Sequence, residues 1–200
     1  MGRPRSGTHK VPTVDRILEA AEQAFGTHGY STTRLEDIAK TAGIRRPSLL
    51  YHFSTKRSLY EAVVVRLFMS LLAALAAAIE QTDNDNDRIR ALMDALLKFL
   101  ADRPAFSPIV LREMIDGAGP GRTLMLDQVV PVLDQVEAWL RQSVEHRAPA
   151  DFDFRGAIVQ VTINALVRDS SGPLRAPIWG EDPQRTLLNR LFFLEPTGED

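Results

Sequence analysis

The stretch that decides the fold runs Thr33-Arg34-Leu35-Glu36-Asp37-Ile38-Ala39-Lys40-Thr41-Ala42-Gly43-Ile44-Arg45-Arg46-Pro47-Ser48-Leu49-Leu50-Tyr51-His52-Phe53. Leu35, Ile38, Ala39 and Ala42 recur at i, i+3, i+4 and i+7, which is one face of an α-helix. Thr33-x-x-Glu36 has the spacing of a capping box, in which each side chain bonds the other residue's unpaired backbone N–H. Gly43 ends that helix, and a short helix over 46–52 follows with Leu49 and Phe53 facing inward. Two helices joined by about four residues containing Gly make a helix-turn-helix, whose second helix suits a DNA major groove.

Any three-helix bundle can mimic that pattern, so the surrounding residues matter. The second helix of the pair carries Arg45, Arg46, Ser48, Tyr51 and His52 within eight residues. Stability alone gives so short a helix no use for that polar, basic surface. Arg46 has the geometry to bond guanine bidentately, and Ser48 to meet a base or a phosphate. Lys56 falls in the first turn of the next helix, where the macrodipole disfavours a cation by ~0.3–1 kcal/mol. A docked anion would account for it there. Residues 1–12 read as a flexible basic arm, and Arg3 and Arg5 suit a minor groove.

Outward from this unit the chain is helical throughout. Val14, Ile17, Leu18, Ala21, Ala24 and Phe25 form one stripe, with Thr13 placed to cap its start and Gly29 its end. A long helix begins near Ser54 and runs through Leu59, Val63, Leu67, Leu71, Leu75 and Ile79. Further helices are expected over 87–101, 105–116, 121–147, 153–169 and 182–194, with a Gly/Pro-rich connection at 171–183. No alternating strand pattern and no repeat occurs. The expected fold class is all-α: an N-terminal three-helix domain over 13–57, joined by a long helix to a helical domain over 58–200.

Composition bounds the function. The chain has 200 residues and a net charge of −2. It has no cysteine, which excludes disulfides, Cys-bound zinc and Cys nucleophiles. With 44% hydrophobic residues it can build a core. The net charge hides a division. Residues 1–57 hold ten Lys/Arg against five acids, and residues 58–200 hold 14 against 21. A head of +5 on a body of −7 points to a polyanionic partner. The N-terminus lacks the apolar core of a secretory signal. The most apolar run, residues 67–79, is shorter than the ~20 residues a membrane span needs. No HExxH, GxSxG or phosphate-binding Gly loop occurs, and Glu113 and Asp116 at i, i+3 read as a solvated face. No enzyme, metal or cofactor is expected.

Taken together, Arg16-Ile17-Leu18-Glu19-Ala20-Ala21, Phe25, Gly29, Thr32-Thr33, Asp37-Ile38-Ala39, Ala42-Gly43-Ile44 and Tyr51-His52-Phe53 with Lys56 and Leu59 resemble the TetR family of transcriptional regulators. The likeness covers about residues 13–60. It implies that Thr33 caps its helix and touches a phosphate, that Tyr51 and His52 lie at the DNA backbone, and that Lys56 pairs with a phosphate. Two positions depart: Arg45 stands where the family usually has a capping Ser or Thr, and Leu50 where it usually has Tyr. The expected DNA-binding set is Thr33, Arg45, Arg46, Ser48, Tyr51, His52 and Lys56.

The resemblance further implies a cytoplasmic repressor that binds a near-palindromic double-stranded operator as a homodimer. A small apolar or amphipathic effector would act in the helical body. Met69, Met93, Phe106, Met114 and Trp139 are candidate walls for it, with Phe99 and Met125 beside them. Gln160 and Asn164 are i, i+4 on an otherwise apolar helix, so each amide needs a partner: a ligand, a neighbouring backbone, or the same helix of a second subunit. The helices at 153–169 and 182–194 are the expected dimer contact.

Overall fold

The computed structural model describes residues 12–82, 84–116, 119–144 and 148–180. Among them lie nine α-helices, one 3-10 turn and no strand. The helices are α1 (Thr13–Thr32), α2 (Leu35–Thr41), α3 (Arg46–His52), α4 (Lys56–Glu80), α5 (Asp85–Asp102), α6 (Phe106–Asp116), α7 (Arg122–Val144), α8 (Phe154–Ser170) and α9 (Arg175–Trp179). The expected spans agree with α3 to α8 to within about two residues, and α7 is described as far as Val144. The helix expected at 182–194 and the arm at 1–11 lie outside the described residues. The connection expected from residue 171 instead holds a 3-10 turn at Gly172–Leu174 and α9. Pro173 and Pro177 fall in first turns, where a missing N–H costs nothing.

The caps differ from the expectation. Thr13 is itself helical, and α1 has no side-chain cap at Pro12. Gly29 does adopt positive φ (78°), but its ψ of 171° makes it a kink before a last turn at 30–32. Thr33 forms no box with Glu36: α2 starts after Arg34 with no side-chain cap. The Thr33 hydroxyl is buried and donates backwards to the Gly29 carbonyl at 2.7 Å, with the Ala24 carbonyl at 3.2 Å. It satisfies an orphan carbonyl at the end of α1 rather than an orphan N–H at the start of α2. The capping box of this region is at α4, where Thr55 and Ser58 bond each other's backbone N–H at 3.0 and 3.2 Å. Gly43 does end α2, at φ +67°, with the Ile44 N–H reaching back to the Ala39 carbonyl at 2.9 Å.

Ile17, Phe25, Ile38, Leu49 and Leu59 are fully buried together, and the same core continues into Leu100, Phe106, Ile109 and Leu166. A second cluster joins α5, α7 and α8 through Met93, Leu140, Phe154 and Val161. Apolar packing therefore does not stop at residue 57. Buried Glu22 of α1 reinforces the junction by pairing with Arg66 of α4 at 2.8 Å and Arg103 after α5 at 3.3 Å. Helix α4 is long and apolar enough, by length and composition, to cross a bilayer, which the count over 67–79 missed. In the fold its first half packs Leu59, Val63, Val64 and Leu67 into the core.

Helices α1 and α6 meet closely at Gly26, where an added Cβ would lie 2.5 Å from the Ala105 Cβ and 2.7 Å from its Cα. Gly26→Ala is expected to lose ~1–3 kcal/mol in urea unfolding. An unchanged midpoint would mean that the α1–α6 contact yields freely.

Candidate functional site

Helix α3 buries one side chain, Leu49. Arg45, Arg46, Ser48, Tyr51 and His52 are all exposed, Tyr51 to 87%. Arg45 is the extended N-cap and supplies no side-chain cap, as its departure from the usual Ser or Thr implies. The Arg46 Nε bonds Glu36 of α2 at 2.6 Å, with both side chains more than half exposed. Such a pair is worth ~0–1 kcal/mol, so Glu36 aims the guanidinium across the helix pair without locking it. The Tyr51 and His52 rings touch edge to face at 5.3 Å.

The structure separates the other two expected DNA contacts from this face. The Thr33 hydroxyl is turned inward, as described above. Lys56 donates to the Ser31 carbonyl at 3.0 Å and lies 4.6 Å above the Tyr30 ring. Partial burial lowers its pKa. A carbonyl and a ring face offset the unfavourable dipole of α4, so its position requires no external anion.

In the body, α4 to α8 line an apolar, half-open cavity of about 260 Å³. Met93, Phe106, Met114 and Trp139 line it, as does Met125. Met69 does not: it lies 56% exposed on another side of α4. Gln160 is exposed on α8, and Asn164 keeps a buried Oδ1 without a partner among the described residues. Phe99 is core, packed edge to face on Phe106 at 5.1 Å. The polar residues of the wall are Gln128 and Thr162, and the sequence reading picked neither. Ile158, Thr162 and Leu166, spaced i, i+4, i+8 and all on the wall, were the available signal.

Helix α6 connects this cavity to the N-terminal helices. It turns Phe106, Val110 and Met114 to the cavity at i, i+4, i+8. Between them Arg112 reaches the end of α1. Its Nη1 donates to the Phe25 and Gly26 carbonyls at 3.0 and 2.6 Å, and its Nη2 to Thr27 at 3.3 Å. A cation on C-terminal carbonyls complements the helix dipole. Glu113 is buried, contrary to the expected solvated face, and accepts from the Tyr60 hydroxyl at 2.7 Å and the Gly121 N–H at 3.2 Å. Burial first, and then Glu113, hold the Tyr60 hydroxyl protonated far above the usual tyrosine range. Its ring packs edge-on to Phe25 and Tyr30 at 4.9 and 5.1 Å. Among the described residues no group of His, Asp or Glu is placed to hold a metal ion.

The family profile described as "Bacterial regulatory proteins, tetR family" matches residues 17–63. The HTH-type transcriptional regulator RutR of Escherichia coli K12 is 34% identical over 184 residues, covering 88% of this chain and 81% of RutR. The HTH-type transcriptional activator FasR of Mycolicibacterium smegmatis is 33% identical over 104 residues, covering 49% of this chain and 48% of FasR. The biofilm operon negative regulator IcaR of Staphylococcus aureus is 36% identical over 88 residues, covering 44% and 46%. The chain thus matches about half the length of these last two. Among solved structures, the ketosteroid transcriptional regulator KstR2 of Mycobacterium tuberculosis superposes with a TM-score of 0.71 at 22% identity, covering 94% of this chain and 97% of that one. A tetR-family regulatory protein of Rhodococcus RHA1 gives 0.72 at 20%, covering 92% and 95%. These two likenesses concern the fold.

Tyr60→Phe removes a buried hydrogen bond to a carboxylate and is expected to cost ~1.5–3 kcal/mol in chemical unfolding. The folded-state pKa of Tyr60 is raised, so its contribution is fully present below the unfolded tyrosine value of ~10 and is lost as pH rises beyond it. Wild type should therefore lose stability above about pH 10 more steeply than the Phe variant. Parallel slopes would show that the hydroxyl is not held by Glu113.

Proposed function

The chain belongs to the TetR family of bacterial transcriptional regulators, and from that premise we propose that it is a ligand-responsive repressor acting as a homodimer on a near-palindromic operator. The observation that carries the reading is α3, which buries only Leu49 and presents every other polar or basic residue to solvent. Placed in a major groove, Arg46 reads a guanine and Ser48 a base or phosphate. Arg45, Tyr51 and His52 meet the backbone. Lys56 keeps donors free beyond the one given to Ser31, so it can still touch a phosphate, although its own fold partners it. The division at about residue 57, a +5 head on a −7 body, favours approach head first. A bacterial regulator of this kind works in the cytoplasm.

The dimer contact is assigned to α8 together with the stretch 182–194. The reading rests on the family and on the apolar girth of α8 (Ile158, Val159, Val161, Ile163, Ala165, Leu166). The effector is assigned to the α4–α8 cavity. Occupancy there bears on Phe106, Val110 and Met114 of α6, whose Arg112 and Glu113 hold α1 and Tyr60. An effector that prefers one placement of α6 shifts the population of heads spaced for the operator.

Selection of bound duplexes from a random pool should recover a near-palindrome with half-sites about one helical turn apart. An enriched site without two-fold symmetry would overturn the dimer. On the recovered duplex, Arg46→Ala is expected to cost ~1–3 kcal/mol and relax choice at one base position. Lys56→Ala should weaken all duplexes alike and lower the salt slope by roughly 1. Anisotropy titrations at several salt concentrations separate the two; identical behaviour of both variants would remove the base-reading role of Arg46. Transcription from a promoter carrying the site should fall when the protein is present, whereas a rise would make it an activator.

A further inference from the structure

The cavity wall identifies the kind of molecule it takes. Twenty-five of the described residues line it, and none of those is Asp, Glu, Lys, Arg or His. Twenty-three are aliphatic, Met, Phe or Trp, from Phe68 and Leu71 of α4 to Leu166 of α8. An ion entering such a space would lose its hydration and find no countercharge. Thr162 and Gln128 are the exceptions, on the neighbouring helices α8 and α7. Neither side chain makes a hydrogen bond among the described residues. Both offer a donor and an acceptor, which suits a hydroxyl or carbonyl, and neither carries the countercharge that an ion would need. The volume of about 260 Å³ has room for roughly ten non-hydrogen atoms at the ~30 Å³ a water occupies in the liquid, with further room on its open side.

We propose that the cavity binds an uncharged, predominantly aliphatic molecule of about that size, whose single polar group bonds Thr162 or Gln128. This rests on the reading of the cavity as the effector site, and it fixes the effector's chemical class. Carboxylates, amines and phosphorylated compounds of the same length are disfavoured, because a charge drawn in among these side chains loses its water and finds no countercharge. Molecules with several polar groups are excluded by the wall.

The chain has two tryptophans, and Trp139 lies on the wall while Trp179 is on α9. In full-length Trp179→Phe protein, Trp139 fluorescence reports binding directly. The probes are 1-octanol, octanoate and octylammonium at pH 7.4, matched in length and differing in charge. Octanol is expected to saturate the signal with a Kd at least thirtyfold below those of both ions. An ion that binds as tightly as octanol, or no saturation by any of the three, overturns the proposal. Thr162→Val and Gln128→Leu test the polar contact: one of them should weaken octanol five- to tenfold while leaving 1-chlorooctane unchanged. Unchanged octanol affinity in both variants, or equal weakening of both probes, removes the assigned contact. Repeating the titration with the selected duplex bound separates this class from the regulatory reading. Selective octanol binding without change in DNA affinity upholds the class and sinks the regulation. A charged probe that alone releases the duplex does the reverse.

Discussion

The guanidinium of Arg112 lies on the α1 carbonyls just before the Gly29 kink, and together with the Glu22 ion pairs it sets how the N-terminal helices sit on the rest. Three successive carbonyls of α1 converge on one cation, which comes from a helix more than eighty residues later in the chain. One residue on, Glu113 takes the Tyr60 hydroxyl and so fixes α4 to the same point. Apart from exposed Thr27, each partner is buried or half-buried, so a lost bond there would leave a polar group stranded rather than returned to water. The close approach of Gly26 to Ala105 follows from the same docking, because only a residue without Cβ lets α1 lie that near.

The helices were legible in the sequence because each buries one stripe, and a 3.6-residue period survives without knowledge of its partner. The turn at Gly43 was legible for the same local reason. What escaped notice was set by direction or distance. Thr33 has one hydroxyl that both donates and accepts, and the spacing to Glu36 is the same whichever way it turns. Lys56 finds its partner in a backbone carbonyl, which leaves no trace in residue type. Glu113 meets Tyr60 across 53 positions, so nothing near either residue signals burial.

The candidate site was legible in unequal measure. The exposed residues of α3 follow from a two-turn helix that can bury only one side chain. The cavity wall was half legible: Met93, Phe106, Met114 and Trp139 are large apolar residues on the right helices, and Met69 is just as large on the wrong side of α4. Size and polarity do not tell a wall from a core or a surface, since that distinction is made by several helices together. Gln160 and Asn164 drew notice as amides in an apolar helix, while Thr162 between them, a residue that helices accept without comment, is the one on the wall.

The end of α1, the start of α4 and the end of α6 converge around Tyr30 and Tyr60. Through Ile17, Ile38 and Leu49 the first three helices share one core, so they follow α1 as a body. A body joined to the rest along one side, at that corner and at the Glu22 ion pairs, turns about that side, and each atom travels in proportion to its distance from it. Lys56, bonded to Ser31 beside Tyr30, sits at that corner and moves least. Tyr51, at the exposed end of α3, has no such tether. The proposed phosphate contacts therefore divide, Lys56 near that side and Tyr51 far from it, so that a small turn would move the second more than the first.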